Sequence, residues 1–289
     1  MFSEISVRSE PVGGSVVPVR TSPGSDGVSG NGAIVLLIHG YNTPYQDAKQ
    51  SYTTFLNHLE KLGATVSAPI FGFFWPGDES NSLLSTISYP AQIRTAIDSA
   101  EQLFNYLQAR TGPNGAPILI SIVAHSLGNR VALEFLQRVA SAAPPRRVIV
   151  DSIVLMAAAV PVGKVDSNDP LRRGATSAAH SSILFSTGDK VLHWAFPPGE
   201  TAAGDGFFPT AIGREGGPSR TWQATHAMSD NGKQYDHSNY WCGTSSATEA
   251  ALLLGVPIAP ATLQNGAARM SLPPANAIQQ RVLPTRQVG

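Results

Sequence analysis

The chain's hydrophobic pattern predicts a doubly wound α/β fold, with a mostly parallel sheet and helices on both faces. Three observations carry this prediction. Short runs that are apolar at nearly every position alternate with stretches whose apolar residues recur every three or four positions. The runs are too short for helices and are bounded by turn residues. A sharp small-residue turn joins one run to the helix after it. Strands covered by helices on both faces lose the polar alternation of a half-exposed strand, so they read as continuous apolar runs.

The elements follow in order. AIVLLIH at 33–39 is the first buried run. After it, Ala48, Tyr52, Phe55, Leu56, Leu59 and Leu62 keep helical spacing, and Gly63 ends the helix. SAPIFGFFW at 67–75 predicts a strand, and 91–110 places Ile93, Ile97, Ala100, Phe104 and Leu107 on one helical face. PILISIVA at 117–124 is another strand, followed over 127–140 by a helix with Leu127, Val131, Phe135, Leu136 and Val139 inward. VIVDSIVLMAAA at 148–159 and SSILFST at 181–187 supply two more strands, and SRTWQAT before His226 reads as a further one. The active site of such a sheet lies at the carboxyl ends of its strands.

A length of 289 residues fits one domain with extensions. The expected division is an N-terminal extension at 1–31, a catalytic domain at 32–255 and a tail at 256–289. The extension is rich in Ser, Gly, Val and Pro; VGGSVVPVR could form a small hairpin, but a loose or peripheral segment is expected. The tail holds five prolines, four glutamines and little periodicity. An insertion at 190–225 carries Trp194, Phe196, Phe207, Phe208 and Trp222 among glycines and prolines. Either it caps a pocket, with Trp194 and Phe196 binding an apolar acyl or alcohol group, or its aromatics pin down a long loop.

Charged residues make up only 14% of the chain, and twenty basic groups balance twenty acidic ones. That neutrality argues against nucleic acid or an anionic membrane as the main partner and suits an uncharged small molecule. The single cysteine, Cys242, excludes an intramolecular disulfide. MFSEISVRSE lacks the apolar region of a secretory signal, and no stretch approaches the apolar length of a membrane span. A cytoplasmic protein is therefore expected.

The chemistry centres on AHSLG, where Ser126 lies between the strand at 117–124 and the helix at 127–140. Small residues on both flanks let the chain turn sharply enough to lift the serine oxygen clear of the sheet, the nucleophile elbow of the α/β-hydrolase fold. A chain of this length matches [Gly/Ala]-x-Ser-x-Gly by chance roughly 0.3–0.5 times, so the pattern alone is weak. The strand–turn–helix context is what selects Ser126. An oxyanion needs two donors, and the amides of Leu127 and of Tyr41, in HGYN at 39–42, are the candidates. The competing reading of HGYN is a plain turn, with Asn42 capping the next helix.

Serine needs a base, and the base an orienting carboxylate, in the chain order Ser, acid, His. Asp189, directly after the strand at 181–187, is the expected acid; Asp166 and Asp169 are weaker candidates. His237 in DHSNY is the expected base and His226 its competitor. His193 follows Asp189 too closely, His39 and His125 precede the acid, and His125 is expected to point away from Ser126. His58 and His180 read as surface residues. The histidines are scattered and no HExxH, CxxC, GxGxxG or P-loop occurs, so no metal or other cofactor is expected.

These residues resemble a family of α/β hydrolases left largely without assigned function, marked by HGYN, a WPS-type turn and AHSMGNR. Here the equivalents are HGYN at 39–42, WPGD at 75–78 and AHSLGNR at 124–130. The likeness runs through STGDKVL to DHSNY and covers about 31–241. Leu127 stands for Met, Gly77 for Ser, and Asp236 for the glycine before the histidine, where an added carboxylate could alter the base's titration. The resemblance implies hydrolase chemistry. The expected reaction is cleavage of a carboxylic ester through an acyl-enzyme; a lipase, thioesterase or amidase with the same triad, or a catalytically silent fold that binds a partner, are the alternatives.

Overall fold

The structure is a computed structural model that describes residues 1–9, 15–22, 28–77, 85–166, 169–222 and 224–256, with backbone alone at 85–89. All but the first residue of the expected tail lies outside the described residues, as does Asp78 of WPGD.

The apolar runs form the strands predicted for them. β3 (Ala33–Ile38), β4 (Ile70–Phe74), β5 (Ile118–His125), β6 (Val148–Met156) and β7 (His180–Phe185) are joined by β8 (Thr225–Ala227). β1 (Ser3–Arg8) and β2 (Val16–Thr21) complete an eight-stranded sheet of order β2-β1-β4-β3-β5-β6-β7-β8. Every neighbouring pair is parallel except β1 with β2. Ile34, Leu36, Leu37 and Ile38 of β3 are buried, as a central strand between two helical layers requires.

β1 and β2 make the segment before residue 32 peripheral, as edge strands of the sheet, but not loose. β1 pairs in parallel with β4 along Phe71–Phe74, and Ile5 and Val7 are fully buried. Without β1 the outer edge of β4 would stand unpaired, an edge that proteins generally cover. The signal is faint because only Ile5 and Val7 are large apolar residues in SEISVR, too few to register as an apolar run.

Chain order sets where the sheet reverses direction. The path steps one way from β3 to β4, through α1 (Tyr45–Lys61), and then back across β3 to β5 through α2 (Ser85–Gln108). Right-handed crossovers of opposite sense put α1 and α2 on opposite faces. α3 (Gly128–Ser141) continues the second direction and packs with α2. Two short helices, α4 (Val162–Asp166) and α5 (Pro170–Ala175), lie between β6 and β7, and α5 packs on α3. In a sheet of this order the carboxyl ends of β3 and β5, where the direction reverses, are where a ligand crevice is expected. HGYN and AHSLG sit at those two ends.

The 190–225 insertion carries three short helices, α6 (Lys190–Trp194), α7 (Phe196–Ala203) and α8 (Ile212–Glu215). After β8 the chain ends its described part in α9 (Thr244–Leu253), which packs with α1. Two aromatics of the insertion act as packing residues. Phe196, expected with Trp194 to bind substrate, is 2% exposed and belongs to the core. The buried Trp222 donates its indole N–H to the Ala175 carbonyl at 3.1 Å. Trp194, Phe207 and Phe208 are 73%, 87% and 58% exposed. Asp205, after α7, ties the insertion to α3 through Arg130 (2.7 Å) and to Lys164 (3.0 Å). Burial raises the Asp205 carboxyl, but the two cations outweigh it and hold the group below its usual range.

Candidate active site

The turn between β5 and α3 sets Ser126 at φ +54°, in the left-handed region that favours glycine. That conformation costs a non-glycine residue on the order of 1 kcal/mol. Four hydrogen bonds hold it. The Ser126 amide donates to the Met156 carbonyl (3.0 Å), and the Ser126 carbonyl accepts from the amides of Asn129 (3.1 Å) and Ala159 (3.1 Å) and from Asn129 Nδ2 (2.9 Å). At about 1 kcal/mol net each, these bonds outweigh the strain. Asn129 Nδ2 also reaches the Met156 carbonyl at 2.9 Å, so one buried amide clamps both sides of the turn. Asn129→Ala is expected to lower stability by about 1–3 kcal/mol, read in urea unfolding, because it leaves those buried carbonyls short of a donor.

Two glycines are required by close approach. A Cβ on Gly128 would lie 2.2 Å from the His39 carbonyl oxygen, so only glycine lets α3 start against the end of β3. A Cβ on Gly40 would lie 2.8 Å from Ser126 Cβ and 3.2 Å from His125 Nδ1. Gly40 thus brings the half-buried Tyr41 to the elbow, while the buried Leu127 caps α3 directly after Ser126. Asn42 does not cap α1, whose N-cap is Pro44; it takes φ +51° and donates its amide to the Gly77 carbonyl. The HGYN and WPGD turns therefore brace each other.

His39 is structural. Its Nδ1–H donates to the Gly40 carbonyl at 2.8 Å, and its Nε2 accepts the Trp75 amide at 3.3 Å. Trp75 returns an indole N–H to the His39 carbonyl at 2.9 Å. Burial pushes the His39 pKa down to about 3, so the ring stays neutral.

Three expected residues meet in one line. His237 Nδ1 lies 2.7 Å from Asp189 Oδ2, and Nε2 lies 2.8 Å from Ser126 Oγ. Asp189 is fully buried, and its other oxygen accepts the Leu192 amide at 2.9 Å as the cap of α6. The turn at Asp189 is tied to the His237 loop by Ser186, whose hydroxyl donates to the Tyr235 carbonyl at 2.7 Å and accepts the Gly188 amide at 3.1 Å. His237 opens a 3₁₀ turn, His237–Asn239, capped by Asp236. The Asp236 carboxylate accepts the backbone amide of His237 at 2.9 Å, so it serves the turn.

The competing residues lie elsewhere. His226, in β8, faces Glu249 of α9 at 3.7 Å. Asp166 pairs with Arg220 at 2.8 Å, and Asp169 caps α5 by accepting the Leu171 amide at 2.9 Å. His193 lies edge-on to Trp194, His58 is half-buried on α1, and His180 is exposed at the start of β7. His125 takes up a contact the sequence did not suggest. Its ring lies 5.0 Å from the His237 ring between centroids, and its Nε2 is 2.8 Å from the His237 carbonyl oxygen.

Sequence reasoning passed over Asn129, His39, His125 and Ser186 as supports of this cluster. The signal was present: each is a polar residue in or beside an apolar run, where an unpaired polar group would be costly. Among the described residues, no group of three or more His, Cys, Asp or Glu side chains could hold a metal ion. Among them, too, no helix is long and apolar enough to cross a membrane.

Residues 27–196 match the family described as alpha/beta hydrolase of unknown function (DUF900), a span that includes Ser126 and Asp189 but not His237. No curated protein matches the chain. Similar solved structures include a cold-adapted esterase from an Arctic intertidal metagenomic library, 14% identical, covering 81% of this chain and 87% of that one at a TM-score of 0.43. A Thermus thermophilus protein is 14% identical, with 88% and 98% covered and a TM-score of 0.45. Acyl-protein thioesterase 2 from Zea mays is 14% identical, with 78% and 94% covered and a TM-score of 0.40.

Proposed function

The chain belongs to the α/β hydrolases of unknown function (DUF900), and on that premise we propose that it cleaves carboxylic esters through a Ser126–His237–Asp189 triad. The observation that carries this reading is the imidazole bridge, 2.8 Å to the serine oxygen and 2.7 Å to the carboxylate. Both contacts fall within the reach a general base needs.

The steps follow from that line. His237 Nε2 takes the Ser126 proton as Oγ adds to the ester carbonyl. The Nδ1–H stays bonded to Asp189, which stabilises the imidazolium without itself taking the proton. The Tyr41 and Leu127 amides hold the oxyanion, aided by the positive end of α3. Collapse of the tetrahedral species breaks the bond to the leaving alcohol, which receives the proton from Nε2. Water then enters, gives its proton to Nε2 and adds to the acyl-enzyme, and Ser126 leaves with that proton as the acid is released. The chain's balanced charge favours a neutral ester. The exposed Trp194, on the helix Asp189 caps, is an aromatic open to an apolar group of the substrate.

A fluorophosphonate probe tests the reading. Purified protein is expected to take up one equivalent, mapped by peptide mass spectrometry to Ser126, and to hydrolyse p-nitrophenyl esters. Absence of both would identify a hydrolase fold that binds without turning over.

A further inference from the structure

We propose that His125 is a positioning residue for the base: its Nε2–H, donated to the His237 carbonyl, sets the His237 imidazole at bonding distance from Ser126. The proposal rests on His237 acting as the base.

The base sits on a loop, and a loop needs anchors if its side chain is to hold a line only 2.8 Å long. Its backbone is secured at three successive residues. The Ser186 hydroxyl holds the Tyr235 carbonyl at 2.7 Å, and the Asn239 side chain accepts the Asp236 amide at 2.7 Å. The third anchor is the 2.8 Å bond from His125 to the carbonyl of His237 itself. Of the three, only this one starts on the nucleophile's own strand, one residue before Ser126. It therefore fixes the separation of base and nucleophile directly, between residues 111 positions apart in the chain.

The chemistry of the contact settles the direction of the bond. A carbonyl oxygen can only accept, so Nε2 of His125 carries the hydrogen and Nδ1, which faces Gly40, does not. Tyr240 and Trp241, just after the base's turn, pack on the same ring with centroids 5.9 Å away. Burial, with the nearby His237 charge adding to it, pushes the His125 pKa down to about 3. The donor thus stays neutral and places no second positive charge beside His237 when that residue takes the serine proton.

The test compares three variants, with rates expressed per active site counted by fluorophosphonate uptake at completion. His125→Phe keeps a ring but no donor, and is expected to lower kcat about 10–100-fold with KM little changed. His125→Asn, whose shorter amide cannot reach the carbonyl, should lose the same factor and serves if the phenylalanine variant does not fold. His125→Gln places an amide N–H near the Nε2 position and should recover most of the rate. Full kcat in His125→Phe or His125→Asn overturns the proposal, as does a loss in His125→Gln equal to theirs, or a loss confined to KM. Failure of the wild-type protein to label or turn over would instead sink the triad reading on which the proposal rests.

Discussion

Replacing Ser126 by alanine is expected to lower ester turnover by roughly 10⁶-fold, the scale on which serine hydrolases depend on their nucleophile. Fluorophosphonate uptake should vanish with it. The fold should survive, because the elbow is held by the backbone of residue 126 and by Asn129, and the substitution touches neither. Ser126→Gly separates chemistry from strain. Glycine adopts φ +54° without penalty, so this variant should be equally inactive yet unfold within about 1 kcal/mol of the wild-type protein. Retention of a tenth of the activity in purified Ser126→Ala would remove Ser126 from the mechanism.

Asp189→Asn is expected to cost about 10⁴-fold in turnover. The structure supplies the reason. One Asp189 oxygen accepts the Leu192 amide at 2.9 Å and the other accepts His237 Nδ1–H at 2.7 Å. An asparagine must keep its oxygen toward the Leu192 N–H, which leaves its NH₂ facing Nδ1. His237 is then driven to carry its hydrogen on Nε2, where it can no longer accept the serine proton. Asp166→Asn and Asp169→Asn should leave turnover unchanged, since those carboxylates serve Arg220 and the α5 cap. A large loss at either, with Asp189→Asn active, would move the acid to the turn after β6.

The central strands were legible because burial on both faces leaves an unmistakable apolar run, as in AIVLLI of β3. Ser126 was legible because a sharp strand-to-helix turn demands small flanking residues, and Asp189 because it directly follows a strand end. β1 was not, since Ile5 and Val7 are too few to mark a strand until β4 offers its edge. Phe196 and Trp194 looked alike in sequence, and only packing buried one and exposed the other.

By itself, then, the sequence determined the alternating α/β order, the elbow at Ser126 and a short roster of acids and bases. Those are local properties, set by periodicity, turn chemistry and chain order. The tertiary structure decided that His237 stands at Ser126 while His226 faces Glu249, and that His125 meets the His237 carbonyl. Each of these contacts joins residues far apart in the chain, and periodicity carries no information about which distant loop folds back onto a given strand end.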